Sequence, residues 1–313
     1  KLLHNYSNYL MKIYNETCET CGNNQWKIAY CGVIRDGVYG EVHNDASVYQ
    51  CQKCGIQRLL ESDCIPSEYY DTGEYREKLN QSLILDSEIE EHELLNRFTF
   101  EAIWPLSVRN KHILDVGCGT GSLLDAVKNI SKSQVGIEPC HLYLNSIINK
   151  GYEAHQSIQL YLDKHRSNSF DMAFSIQVIE HVLNPKLFLE EILSMLKPGA
   201  DLIISTPNRN DILMSLLPTE FPSFFYRTPH RWYFDSKSLE YCARSAGFDV
   251  VETQHIHRYG MANTLHWLRD KQPKGMKNID GIDILADKIW KAYLENTGQS
   301  DNIYIHLRKP NNL

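Results

Sequence analysis

Short apolar runs alternate with stretches of helical spacing over much of this chain, the pattern of an α/β protein built on a sheet. Ile113 to Val116 is an apolar run broken by one acid, Asp115, and predicts a strand. Gly117, Gly119 and Gly121 follow at alternate positions, and Ser122-Leu-Leu-Asp-Ala-Val then opens a helical pattern. A second apolar run, Gln134-Val-Gly-Ile, ends at Glu138, and Ser169-Phe-Asp-Met-Ala-Phe-Ser reads as a buried strand introduced by an acid. Apolar residues at 187, 188, 189, 192, 193 and 196 predict a helix from Pro185 to Leu196, ended by Lys197-Pro-Gly-Ala. Asp201-Leu-Ile-Ile-Ser-Thr-Pro-Asn is the next expected strand.

The N-terminal part has a different grain. Trp26-Lys-Ile-Ala-Tyr and Ala46-Ser-Val-Tyr-Gln-Cys alternate as short strands between two knuckles, Cys18-x-x-Cys21-Gly and Cys51-x-x-Cys54-Gly, with 29 residues between them. A C-x-x-C turn points two thiolates at one tetrahedral ion, so Cys18, Cys21, Cys51 and Cys54 predict a structural zinc site in a ribbon. Redox pairs are the alternative, and neither pair precedes a helix that would lower a thiol pKa. Four thiolates leave no open position on zinc, so the ribbon is expected to hold a core-poor segment together and wall a substrate cleft. Asp86 to Trp104 has the spacing of an amphipathic helix. The expected organisation is a zinc ribbon over 1–64, a linker and helix over 65–110, and a main domain over 111–313 with insertions at about 207–236 and 258–300.

Glycines at the spacing of 117, 119 and 121 let the backbone pass close to a ligand and turn into a helix whose N–H groups face it. Glu138, seventeen residues after Gly121, is placed to accept hydrogen bonds from a ribose diol. A dinucleotide fingerprint needs G-x-G-x-x-G; here the spacing is G-x-G-x-G, and Ser122 stands where the third glycine would be. The motif resembles the first motif of class I S-adenosylmethionine (SAM) methyltransferases. Gln177-Val-Ile-Glu-His, the Lys197-Pro-Gly turn, Leu239 to Val251 and Asn302 to Lys309 resemble later parts of the same family, in the group of ubiquinone-biosynthesis and sugar methyltransferases. The resemblance covers about residues 85–310. It implies a Rossmann-like seven-stranded sheet with helices on both faces and an antiparallel last strand. It also implies a SAM site of Asp115, Gly117, Cys118, Gly119, Gly121, Glu138 and Gln177.

Composition narrows the partners. The 313 residues carry a net charge of −7 with basic residues scattered singly, so no nucleic-acid footprint is expected. No apolar run is long enough to span a bilayer, and nine cysteines, an odd number, fit a reduced, cytoplasmic chain better than a disulfide framework. The expected partner is a small-molecule substrate.

Methyl transfer to a hydroxyl requires alignment and removal of one proton. His181, directly after the fourth strand, is a candidate base or orienter; in some ubiquinone-pathway relatives this His and nearby acids hold a divalent metal, but their fuller acidic set is not evident here. His230 is the favoured base, because it lies in the aromatic insertion Phe221-Pro-Ser-Phe-Phe-Tyr-Arg-Thr-Pro-His-Arg-Trp-Tyr-Phe. Its His-x-x-Tyr-Phe segment resembles sugar C-methyltransferases, although Pro229 stands where they carry Glu. Tyr75 is a weaker candidate from the other wall. His255 and His257 share a strand face, and Tyr259, Asn263, His266 and Trp267 follow in a segment expected to form a lid. Aromatic faces beside polar groups suit a sugar ring. The expected activity is O-methylation of a sugar on a nucleotide-sugar or surface-glycan precursor. The alternatives are sugar C-methylation, natural-product N-methylation, RNA methylation and non-catalytic SAM binding.

Overall fold

The computed structural model describes residues 16–36, 41–66, 95–102 and 106–312. Tyr75 and the first half of the helix expected from Asp86 lie outside the described residues; a helix (α1) runs over 95–102. Strands β1 (Trp26–Arg35), β2 (Val42–Cys51) and β3 (Gln57–Leu59) form an antiparallel meander. Its fourth strand comes from far along the chain. Residues Trp232–Tyr233 (β9, numbered in chain order) pair antiparallel with β3, Arg58 opposite Trp232 and Gln57 opposite Tyr233. The aromatic insertion therefore completes the N-terminal sheet.

The main sheet contains β4 (His112–Val116), β5 (Ser133–Ile137), β6 (Glu153–His155), β7 (Phe170–Ile176), β8 (Leu196–Pro207), β10 (Asp249–Ile256) and β11 (Asn302–Arg308). Their spatial order is β10-β11-β8-β7-β4-β5-β6. β11 runs antiparallel to both neighbours, as the family resemblance implies, and β4 to β8 pair in parallel. β8 begins at Leu196 rather than Asp201, because Lys197-Pro-Gly is drawn into the sheet and Gly199 N donates to the Lys309 carbonyl at 2.9 Å.

Period-two alternation divides the buried residues between two faces. Leu114, Ala173, Leu202, Ile204, Ile303 and Ile305 face α5 (Pro185–Met195) and α8 (Ser236–Ser245), meeting Leu189, Ile192 and Leu239. Their neighbours Ile113, Met172, Phe174, Ile203 and Tyr304 face α1 and α2 (Ser122–Val127), meeting Phe98, Leu123 and Val127. α5 starts cleanly: Asn184 accepts from Leu187 N and Pro185 occupies the first turn, where its missing N–H costs nothing. A capping box at Asp235 and Ser238 begins α8. The first core continues without a break into Cys18, Cys51, Cys54, Ile56, Trp232 and Phe234, so the cysteine end of the small sheet is packed on the large one.

Two helices, α3 (His141–Asn149) and α4 (Ile158–Leu162), flank β5 and β6. The insertion after β8 forms α6 (Ile212–Leu216) and α7 (Pro222–Phe225), and that after β10 forms α9 (Met261–Asp270) and α10 (Ile284–Thr297). Among the described residues, no helix is long and apolar enough to cross a membrane.

The turn after β4 corrects one detail of the glycine reading. Gly117 has φ +77°, and a Cβ there would lie 2.3 Å from the Val178 Cγ2. The glycine is required by the loop behind it, not by space for a ligand alone. Gly117→Ala should lower stability by roughly 2–4 kcal/mol, from left-handed strain plus overpacking. Denaturant unfolding without ligand measures this; an unchanged midpoint would refute the packing account.

Candidate functional site

A cavity of 770 Å³ opens beyond the C-terminal ends of β4, β5, β7 and β8, the ordinary ligand position in an α/β sheet. Its lining brings together Asp115, Gly117, Cys118, Gly119, Glu138 and Gln177 of the expected SAM set. Gly121 stands apart, its Cβ position facing Ile147. Glu138 braces the glycine turn: Gly119 N donates to its Oε2 at 2.8 Å and Cys140 N to its Oε1 at 2.9 Å. The carboxylate is thereby fixed at the strand end. Asp115 is buried behind the turn. Burial, reinforced by Glu138, pushes its carboxyl up to about 8. Burial also raises the Cys118 thiol well above its ordinary value, making it a packing group rather than a nucleophile. Gln177, at φ +59°, turns its amide away to donate to Ser205 Oγ (3.0 Å) and Asn302 Oδ1 (2.9 Å).

The other half of the cavity is built from three separate stretches. Arg35 comes from β1; Phe221, Phe224, Phe225, Arg227 and His230 from the first insertion; Tyr259, Asn263, Thr264 and Trp267 from the second. The rings lock together, with Trp267 edge-on to Phe221 at 5.1 Å and to Phe224 at 4.9 Å. Glu180 joins these walls to the sheet. Its carbonyl accepts from Arg231 N (2.8 Å) and Trp232 N (3.0 Å), and its Oε2 accepts from the Thr206 hydroxyl at 3.0 Å.

The two candidate histidines meet where the halves join. Their rings stand edge to face at 4.7 Å. His181 Nδ1 donates to the Pro229 carbonyl at 2.8 Å, which leaves the acceptor lone pair of the neutral ring on Nε2, 3.9 Å from Glu180 Oε1. His230 Nε2 instead accepts from the Arg227 guanidinium. Burial, with Arg227, His181 and Arg35 nearby, holds His230 well below the usual imidazole pKa, so it is neutral. Burial raises Glu180 to about 7. The ligating atoms of Glu180, His181 and His230 lie within 4.8 Å of one another. Two guanidiniums beside His230 oppose a divalent cation there, and one of them occupies the nitrogen it would need.

At the far end of the small sheet, the sulfurs of Cys18, Cys21, Cys51 and Cys54 also lie within 4.8 Å of one another. Cys18 to Cys54 is 3.6 Å and Cys21 to Cys51 is 3.5 Å. A tetrahedron with zinc–sulfur bonds of about 2.3 Å has edges of about 3.8 Å, so the set fits one ion.

A family model described as a methyltransferase domain matches residues 88–253. The chain belongs to that methyltransferase family. The mitochondrial ubiquinone biosynthesis O-methyltransferase of Homo sapiens is 26% identical over 169 residues, 50% of this chain and 46% of that protein. The ubiquinone biosynthesis O-methyltransferase of Hahella chejuensis is 31% identical over 153 residues, 45% of this chain and 64% of that protein. The chain thus matches about half the length of the human relative. A SAM-dependent methyltransferase structure from Thermotoga maritima aligns with a TM-score of 0.47 at 21% identity, covering 71% of this chain and 95% of that one.

Several lining residues of this methyltransferase carried no signal in the sequence. Arg35 lies in an unremarkable strand, and Arg258 and Asp301 meet only through the fold, Arg258 Nε donating to Asp301 Oδ2 at 2.6 Å. Asp211, also in the wall, is pushed by burial to about 7.

The buried Asp115 gives a pH test. With a native pKa near 8, the folded state retains a proton that the unfolded chain releases above the ordinary carboxylate range. Stability attributable to this residue must therefore fall as pH rises toward 8. Measured against Asp115→Asn, the wild type should lose on the order of 1–2 kcal/mol between pH 6.5 and 8. Parallel stability curves for the two proteins would place the proton elsewhere.

Proposed function

We propose that this methyltransferase moves the SAM methyl group to a hydroxyl of a small polar acceptor, a sugar ring on a nucleotide-sugar or surface-glycan precursor. The observation that carries the reading is the continuity of the cavity: the glycine turn and Glu138 lie at one end, and rings interspersed with Asn263, Thr264 and Tyr259 at the other. A pyranose presents an apolar C–H face to rings and hydroxyls to amides and hydroxyls, and this wall offers both. Relatives named as O-methyltransferases support oxygen as the acceptor atom.

SAM, when bound, supplies an activated methyl group on a sulfonium. The protein's part is to align the acceptor, exclude water and take one proton. Asp115, Gly117, Cys118, Gly119 and Glu138, with Gln177 and Gly121 shaping the turn and the loop opposite, form the donor site in this reading. His181 Nε2 receives the acceptor's hydroxyl proton, because Nδ1 is already committed to Pro229. Glu180, 3.9 Å away, stabilises the imidazolium that results. His230, neutral and tied to Arg227, holds the His181 ring and orients the acceptor. The favoured histidine of the sequence reading thus takes the orienting role, and the base role goes to its neighbour. His181→Ala should reduce turnover about 100-fold or more while SAM affinity stays near wild type. Turnover should fall far less in His230→Ala than in His181→Ala. S-adenosylhomocysteine release with a nucleotide-sugar panel reads both, and the opposite pattern would return the base role to His230.

We also propose that Cys18, Cys21, Cys51 and Cys54 hold one structural zinc ion. The sulfur spacing supports it, as does the burial of three of these residues within the main core. Elemental analysis should find one zinc per chain. Cys54→Ser should lower the melting temperature and solubility together, since the ion ties the knuckles and the knuckles pack on the sheet. Zinc-free protein with an unchanged melting temperature would refute the site.

A further inference from the structure

Glu153 and His155 stand two positions apart on β6, the edge strand of the main sheet, and so share one face. His165 returns to them from the turn after α4, where the Tyr161 carbonyl accepts from Lys164 N and His165 N, both at 3.0 Å. His155 Nε2 and His165 Nε2 converge on the same carboxylate oxygen, Glu153 Oε1, at 3.0 and 3.1 Å. Tyr161 sets the angle between the rings. His165 stacks on it at 4.3 Å and 11°, and His155 meets it edge to face at 5.3 Å and 89°. The two imidazoles are thereby held nearly perpendicular to each other, at 79°.

Hydrogen bonding alone would require both Nε2 atoms to carry hydrogens aimed at one oxygen. A cation lets the same three groups act as ligands instead. Their ligating atoms all lie within 4.8 Å of one another. Metal–nitrogen and metal–oxygen bonds of about 2.0–2.1 Å give tetrahedral edges of about 3.3 Å, so the rings need part from the carboxylate only slightly. Among the described residues the ion pairs of Glu153 are those with these two histidines, so an ion there displaces no lysine or arginine. The His155 side chain is 12% exposed, whereas those of His165 and Glu153 are 38% and 45% exposed. One ligand is thus anchored in the protein, and the open side gives an entry path and room for water as a fourth ligand. Two imidazoles favour a first-row transition ion over magnesium or calcium, which take oxygen ligands.

We infer that Glu153, His155 and His165 bind one divalent first-row transition ion of the zinc class, which ties the edge strand β6 to the end of α4. None of the three lines the cavity, and the four cysteines belong to the other sheet's end of the molecule. The site meets the donor cradle only through the backbone, where Glu138 N donates to the His155 carbonyl at 3.0 Å. The ion is accordingly structural, whichever acceptor the cavity takes.

The test uses the full chain, freed of excess metal by gel filtration and titrated calorimetrically with zinc and with magnesium chloride. Zinc taken up by the cysteines counts as a separate equivalent, which the histidine variants keep. Wild type should bind one zinc more than His155→Gln and His165→Gln, or bind that equivalent roughly 10-fold or more tightly. Magnesium at the same concentration should not replace it. Excess zinc should raise the melting temperature by about 2 °C or more, and the rise should shrink in both variants. Melting temperatures without added metal serve as fold controls. If a histidine variant is unstable, Glu153→Gln, which keeps the shape and one acceptor oxygen, carries the comparison. Equal zinc uptake by wild type, His165→Gln and Glu153→Gln, or a magnesium affinity equal to that for zinc, would overturn the site. Loss of the additional equivalent in His181→Gln but not in His165→Gln would overturn it too, by placing the ion in the cavity.

Discussion

Two hydrogen bonds to one carbonyl organise the acceptor side of this protein. The Glu180 oxygen, in the loop leaving the middle of the main sheet, receives the amides of Arg231 and Trp232. Those amides enter the strand that completes the N-terminal sheet, opposite Gln57 and Arg58. One peptide group therefore sets the distance between the donor turn, the histidines and the small sheet. The Trp232 side chain strengthens the joint, its indole N–H donating to the Val182 carbonyl at 2.8 Å while its ring lies under the Arg58 guanidinium.

Electrostatics differ across the cavity because burial acts on groups with different partners. Asp301 has Arg258 and His257 against it and stays ionised well below the ordinary carboxylate range, despite complete burial. Asp115 has, among the described residues, another acid, Glu138, as its charged neighbour and holds its proton. Desolvation is common to both; a matching charge is what separates them. His230 follows the same rule with the sign reversed, since the guanidiniums around it penalise a second positive charge.

Local chemistry was legible in the sequence, and distant pairing was not. The glycine turn, the strand ending at Glu138 and the helix from Pro185 are specified by residues within a few positions of each other, and the sheet order follows from how such units connect. The cysteine knuckles are read the same way. Trp232–Tyr233 is too short to show alternation, so its pairing with β3 had no periodic signal. Arg35 looks like any charged residue in an exposed strand until that pairing carries Arg227 beside it. Val178 behind Gly117 was equally invisible, because the contact joins two loops from different strand ends. The charge balance around His230 depends on these same distant contacts.

The division of the cavity between chain segments has a consequence for how such a protein can change. The turn that faces the donor is written within about thirty residues, from Asp115 to Tyr143, whereas the opposite wall draws on positions near 35, 227 and 260. Substitutions in the outer segments can reshape what enters the chamber without touching the donor cradle. A new acceptor preference is thus open to selection one wall at a time, provided the single carbonyl at Glu180 keeps its two amides.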